Sequence, residues 1–372
     1  MQYRKYGKTG KMVSALSLGM MRLPTQSGIG NAQDIDQEAA NAMVKFAMEN
    51  GVNYFDTAYP YHGGQSEGCL GIAIRQSGLP RPYIASKSPV WLIEKEEDFD
   101  RFLNEQLERL GVEYIDFYLL HALDAKQWER VQKFNLLDKM EKAKAEGKIH
   151  HIGFSFHDKL DVFKKIVDGY DGWEFCQIQL NYIDTEYQAG IEGMKYAAER
   201  GLGIAIMEPL LGGRLAEPPK DIKEALGGMN PIEAALGFLW DMPEVGVVLS
   251  GMSDMEQLAQ NIRLADASAV GKFSEEQKDI MQNAKKIYDS KALVPCTRCA
   301  YCMPCPAGIN IPSIIAKYNN TALYEFEDAK KSYLGTDVQG DACIGCHACE
   351  TECPQHLKPS ELMPKIHALF TK

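Results

Sequence analysis

Eight of the ten cysteines fall in two runs near the C-terminus. The first is Cys296-x-x-Cys299-x-x-Cys302-x-x-Cys305-Pro306, and the second is Cys343-x-x-Cys346-x-x-Cys349-x-x-x-Cys353-Pro354. Two-residue gaps let three thiolates reach one iron–sulfur cube from a single tight loop. A fourth cysteine followed by proline is carried away from that loop and binds the other cube. On that logic Cys296, Cys299, Cys302 and Cys353 hold one [4Fe–4S] cluster, while Cys343, Cys346, Cys349 and Cys305 hold a second. Structural zinc favours two separated pairs instead, and a disulfide framework would spread its cysteines along a small secreted chain. Cys69 and Cys176 stand alone in apolar stretches and read as small buried hydrophobes.

A second group that could do chemistry is Asp56, Tyr61, Lys87 and His121. Each follows a short apolar, β-branched run. Asp56 can pair with Lys87, and the fixed ammonium would lower the pKa of the Tyr61 phenol by favouring its anion. A tyrosine so tuned is a general acid for a carbonyl oxygen, which His121 can orient by a hydrogen bond. Singly each is weak, since a strand-end Asp is often a turn residue and a lone His often a satisfied core group. Their joint occurrence after three successive strands carries the reading.

The elements that must position these groups alternate along the chain. Strands are expected at Ala15–Leu18, Val52–Asp56, Tyr83–Ser86, Ile115–Leu120, Ile149–Ser155, Phe175–Leu180, Gly203–Met207 and Val245–Ser250. Between them lie helical patterns, among them Gln37–Asn50, Phe99–Leu110, Leu136–Glu146, Ile191–Arg200 and Pro231–Trp240, several closed by glycine. Eight strand–helix repeats over about 250 residues predict a (β/α)8 TIM barrel, whose reactive groups sit at the C-terminal ends of the strands. A doubly wound sheet would show a glycine-rich loop after its first strand, and none follows here. Segments 124–135 and 210–229 read as variable loops that set specificity. Ser274–Asp289 reads as an amphipathic helix leaving the barrel, and the composition changes around residues 292–295. The expected division is a barrel over residues 1–290 and an iron–sulfur domain over 291–372.

The cysteine runs resemble the bacterial two-cluster ferredoxins, with two residues rather than three before Cys305. The helical pattern of Ile311–Gly335 makes this a small, largely helical ferredoxin-like variant, with His347 on its surface. Phe55-Asp56-Thr57-Ala58-x-x-Tyr61, Ile84-Ala85-Ser86-Lys87 and Asp116-Phe117-Tyr118-Leu119-Leu120-His121 resemble the catalytic tetrad of the aldo/keto reductase family. With Met303-Pro304-Cys305-Pro306 and Cys353-Pro354-Gln355-His356, the whole chain resembles the branch carrying a C-terminal four-iron ferredoxin domain. This resemblance implies reduction of a small aldehyde or ketone by NADP(H), with NAD(H) as the alternative, and Tyr61 as proton donor. It also implies that Ser155 and Gln177 hold the nicotinamide carboxamide and that Met207 packs on its ring. Ser250, Gly251 and Met252 would line the phosphates, with Gln257 and Asn261 near the adenosine. Phe156 stands where many members have Asn, and Met207 where an aromatic ring often stacks. These two departures motivate a rival reading, a redox-sensing or electron-transfer protein on an inactive barrel. Nicotinamide passes an electron pair and each cluster one electron, so the clusters either serve an electron-transfer protein or flavin or are structural.

Composition limits the remaining classes. The 372 residues are 45% hydrophobic and 24% charged, with net charge −11. No stripe of Lys and Arg suits nucleic acid. No apolar run approaches the ~20 residues of a membrane span, and the run from Met12 to Met21 reads as a buried strand rather than a leader. The expected location is cytoplasmic.

Overall fold

A computed structural model of the protein describes residues 1–28, 32–296, 298, 302–353 and 355–372. Eight parallel strands close into a barrel: β3 (Leu16–Gly19), β4 (Tyr54–Asp56), β5 (Tyr83–Ser88), β6 (Ile115–Leu123), β7 (Ile149–Phe156), β8 (Phe175–Gln179), β9 (Gly203–Met207) and β10 (Val245–Gly251), with β10 paired to β3. A hairpin of β1 (Tyr3–Lys5) and β2 (Met12–Ser14) precedes them. Tyr6, between the hairpin strands, fills the barrel interior, its ring 5.2 Å from Phe117 and 5.5 Å from Phe175. The loop after it meets the start of β9, where Gly7 has φ +51° and an added Cβ would lie 2.1 Å from the Gly203 nitrogen. Only glycine fits that approach.

The strand expectations agree with the structure to within a few residues. β4 begins at Tyr54 because Asn53 is engaged by the hairpin, its side-chain oxygen accepting from the Ser14 nitrogen at 2.7 Å. Strand alternation sorts the side chains: Phe117, Leu119, Ala205 and Val247 fill the interior, while Tyr118, Leu120, Ile152 and Ile206 face the helical layer. That layer includes α1 (Gln37–Glu49), α2 (Ser66–Ser77), α3 (Glu97–Leu110), α4 (Ala125–Lys133), α5 (Leu136–Ala145), α6 (Leu160–Asp168), α7 (Gly190–Glu199), and, after a short helix α8 (Lys220–Ala225), α9 (Pro231–Trp240) and α10 (Met255–Asp266).

Neither expected specificity loop is irregular throughout. Segment 124–135 holds α4, which starts because the Asp124 carboxylate caps it, accepting from the Gln127 nitrogen at 2.6 Å. Segment 210–229 holds α8, which packs on α11 (Glu275–Ser290).

Contacts divide the chain into two compact units. One comprises residues 1–216 and 232–274, the other residues 217–231 and 275–372. In the second unit, α12 (Ile311–Asn320), α13 (Phe326–Leu334), α14 (Ala348–Thr351) and α15 (Pro359–Phe370) gather around Ile314, Ile315, Tyr333, Ile366 and Phe370. The Asn319 side chain clamps the entering chain, accepting from the Val294 nitrogen at 2.9 Å and donating to its carbonyl at 2.8 Å. Among the described residues, no helix is long and apolar enough to cross a membrane.

Candidate active site and cysteine cavity

The barrel brings Asp56, Tyr61, Lys87 and His121 together at the C-terminal ends of β4, β5 and β6. Lys87 is fully buried. Its ammonium donates to both carboxylate oxygens of Asp56, at 2.7 and 2.8 Å, and to the Thr57 carbonyl at 2.8 Å. The same nitrogen lies 5.1 Å from the centre of the Tyr61 ring. The Tyr61 and His121 rings meet edge-on at 6.1 Å.

Backbone geometry turns these side chains inward. Tyr61 is followed by three left-handed residues, His62 (φ +51°), Gly63 (φ +63°) and Gly64 (φ +92°). Buried His62 is held there by its Nδ1, which donates to the Ala32 carbonyl at 2.5 Å. Ala122 after His121 (φ +56°) and Glu208 after Met207 (φ +56°) share this conformation. Left-handed non-glycine residues cost energy and cluster where surrounding structure over-determines them, as at active sites.

The electrostatics correct one expectation. Burial is the largest influence and alone would pull the Lys87 ammonium down, but Asp56 and Tyr61 together more than offset it, and the pKa stands above the ordinary lysine value. Tyr61 moves opposite to the sequence-based expectation. Burial raises the phenol above its ordinary value, and the Lys87 charge only offsets part of that rise. Burial and Lys87 both push His121 well below an ordinary histidine, so its ring is neutral. The buried Nδ1 of that ring has no hydrogen-bond partner among the described residues.

Ser155 and Gln177 are register partners on β7 and β8. The Ser155 hydroxyl accepts from the Ala122 nitrogen at 2.7 Å, which leaves its own proton to donate. The Gln177 amide donates to the Met207 sulfur at 3.6 Å, so Met207 faces the interior beside it. A serine hydroxyl and a glutamine amide side by side suit a carboxamide. Phe156 does not share this site. It alternates outward into the helical layer, its ring 5.0 Å from Phe163. At β10, the Asn261 amide donates to the Ser250 hydroxyl at 3.2 Å, and Gln257 Oε1 accepts from the Ser253 nitrogen at 3.0 Å. Both brace the loop. The Met252 side chain is buried in the helix-facing core. The Asp254 carboxylate caps α10, accepting from the Gln257 nitrogen at 2.8 Å.

Three residues at this end went unread in the sequence. Arg22 follows β3 and lies against Gly251, where an added Cβ would come within 2.7 Å of its Cγ. Trp91 stands 5.1 Å from the His121 ring. Glu208 lies near enough to oppose ionisation of Tyr61. Their position directly after strands was the available signal, and it does not say which way a side chain turns.

In the second unit, Cys305, Cys343, Cys346 and Cys349, the set expected for one cluster, line a common cavity of about 240 Å³. Cys302, expected in the other set, lines it too. Five thiols thus line this space, and thiols are the donor type that a cubane takes. Cys296 and Cys353 are half-buried, and Cys299 lies outside the described residues. His347 is exposed, as expected, with its Nδ1 3.2 Å from Glu350.

Comparison with known proteins agrees with both halves. Residues 15–285 match the Aldo/keto reductase family, and residues 295–357 match the 4Fe-4S dicluster domain. Among curated proteins, L-galactose dehydrogenase of Arabidopsis thaliana is 26% identical over 285 residues, 70% of this chain and 87% of that one. The 9,11-endoperoxide prostaglandin H2 reductase of Trypanosoma cruzi is 28% identical over 260 residues, 66% and 83% of the two chains. Two solved structures share the fold. The holo form of an aldo-keto reductase from Bacillus halodurans superposes with TM-score 0.62 at 23% identity, covering 76% of this chain and 96% of that one. An aldo-keto reductase from Klebsiella pneumoniae in complex with NADPH gives TM-score 0.61 at 22% identity, covering 76% and 94%. The chain is a member of the aldo/keto reductase family, an oxidoreductase with a 4Fe-4S dicluster domain following its barrel.

Proposed function

We propose that this oxidoreductase reduces a small aldehyde or ketone with NADP(H), NAD(H) being the alternative, at the mouth of the barrel. The observation that carries the reading is the buried Lys87 ammonium, tied to both oxygens of Asp56 and set against the Tyr61 ring beside a neutral His121. A bound nicotinamide supplies a hydride to the carbonyl carbon. Tyr61 gives the proton to the carbonyl oxygen, and Lys87 stabilises the phenolate left behind. Neutral His121 orients the oxygen. Ser155 and Gln177 hold the carboxamide, Met207 supports the ring, Ser250, Gly251 and Met252 with Arg22 receive the phosphates, and Gln257 and Asn261 lie near the adenosine. The NADPH-bound Klebsiella relative supports the choice of cofactor.

The rival reading of an inactive barrel loses half its motive, because Phe156 packs away from the site. Titration of anaerobically purified protein with NADPH and NADH tests the choice. Micromolar binding of either supports reduction, and binding of neither removes it.

The same reading gives residues 1–290 the reduction and residues 291–372 two [4Fe–4S] clusters. Cys296, Cys299, Cys302 and Cys353 hold one, and Cys343, Cys346, Cys349 and Cys305 the other. Iron analysis should return about eight irons per chain; four, or stoichiometric zinc, would overturn the assignment. Because hydride chemistry moves two electrons and each cluster one, the clusters either exchange electrons through a partner protein or flavin or serve the fold.

A further inference from the structure

Behind the tetrad, on the helix-facing side of β5 and β6, lies a polar network the reaction does not touch. Glu67, in the first turn of α2, is fully buried. Its Oε1 accepts from the Ser86 hydroxyl at 2.5 Å and from the Gln106 amide at 2.6 Å. Its Oε2 accepts from Arg109 at 3.4 Å. The Gln106 amide also donates to the Lys87 carbonyl at 3.1 Å, and its oxygen accepts from the Tyr118 hydroxyl at 2.6 Å. Ser86, Gln106 and Tyr118 are fully buried as well. Beside Glu67, the Ser66 hydroxyl donates to the Met20 carbonyl at 3.1 Å and lies 2.9 Å from the Thr57 hydroxyl. Thr57 in turn offers its carbonyl to the Lys87 ammonium.

One carboxylate therefore joins three elements that carry reacting groups. α2 follows directly on the turn presenting Tyr61. Ser86 precedes Lys87 in β5, and Tyr118 precedes His121 by three residues in β6. Burying a carboxylate is expensive unless it is fully hydrogen-bonded, and an apolar side chain could fill this layer at lower cost. Joining the three elements accounts for its presence. We propose that Glu67 is a positioning residue, which through Ser86 and Gln106 fixes the distance between Lys87 and Tyr61. This rests on the tetrad reading given above.

Loosening this joint lets Lys87 drift from Tyr61. The ammonium then offsets less of the rise that burial imposes on the phenol, so Tyr61 keeps its proton to higher pH. Rate should fall while the upper limb of the pH profile moves upward.

The test uses the full, cluster-loaded chain with NADPH and 4-nitrobenzaldehyde as probes. Glu67→Ala and Ser86→Ala should each lower kcat/KM for the aldehyde about tenfold, as sub-ångström misplacement does. Both should raise the upper pH limb and leave the KM for NADPH unchanged. Glu67→Gln keeps an acceptor for Ser86 and Gln106, and should restore both rate and limb to near wild type. Ser86→Ala decides the matter if Glu67→Ala does not fold. Folded variants with an unmoved pH limb, whatever their rate, overturn the inference. Tyr61→Phe runs alongside: wild type active, Tyr61→Phe inactive and the limb unmoved would remove the Glu67 role alone. A wild type unable to turn over would remove the tetrad reading itself.

Discussion

The barrel mouth and the cysteine cavity solve the same problem, holding reactive side chains in place, by opposite means. At the mouth, Asp56, Lys87 and His121 stand on strands whose backbone hydrogen bonds are already closed, Tyr61 stands on the turn after β4, and Lys87 has three partners at or below 2.8 Å. In the cavity, Cys302, Cys305, Cys343 and Cys346 stand on loops and Cys349 on the short helix α14. Cys346 is exposed, and neighbouring Ile344 is 69% exposed. The barrel holds its reacting side chains by protein contacts alone, whereas in the cysteine unit, on the reading proposed above, the bound iron–sulfur group would supply the support. Chemistry and support are separable in the barrel and inseparable in the cysteine unit.

Removing iron should break this comparison most sharply. Anaerobic chelation is expected to abolish protection of residues 291–372 against limited proteolysis, while the barrel stays resistant. Equal resistance before and after would mean that the small apolar core suffices. Next comes Lys87→Met, which leaves the Asp56 carboxylate buried and unpaired. It should cost the barrel about 3–5 kcal/mol in urea unfolding, and adding Asp56→Asn should recover part of that.

The smallest effect lies at the closed end of the barrel. Burial would raise the Glu174 carboxyl, but His151, Lys144 and the Ile152 nitrogen outweigh it and hold it down to about 2. A depressed carboxyl contributes stability above its unfolded pKa of about 4.3 and loses it as pH falls through the folded value. Urea midpoints followed by tryptophan fluorescence should therefore fall as pH drops from about 4.3 towards 2, and Glu174→Gln should flatten that fall. An unchanged slope would show that the ion pair does not set acid stability.

Much of this was legible in the residues because the signals are local. Cysteine spacing is a local property, and so is the switch between β-branched runs and helical patterns that gave eight strands. Tetrad convergence followed from the rule that barrel strands end on one face. What escaped depends on tertiary surroundings. The direction of the Tyr61 shift is set by burial, which no motif reports. Glu67, Ser86 and Gln106 are far apart in sequence and meet only when α2 and α3 close over β5. Helix α4 lies within segment 124–135, expected as a loop, and its Asp124 cap was the available signal. The outward turn of Phe156 was available from strand alternation, since Ser155 beside it faces inward.

The most direct test of the central claim is NADPH oxidation driven by an added aldehyde, measured on one cluster-loaded preparation of wild type and of Tyr61→Phe. Aldehyde-dependent oxidation by wild type, lowered about 10³-fold in the variant at unchanged NADPH affinity, is the predicted result. Equal rates in the two proteins would contradict it.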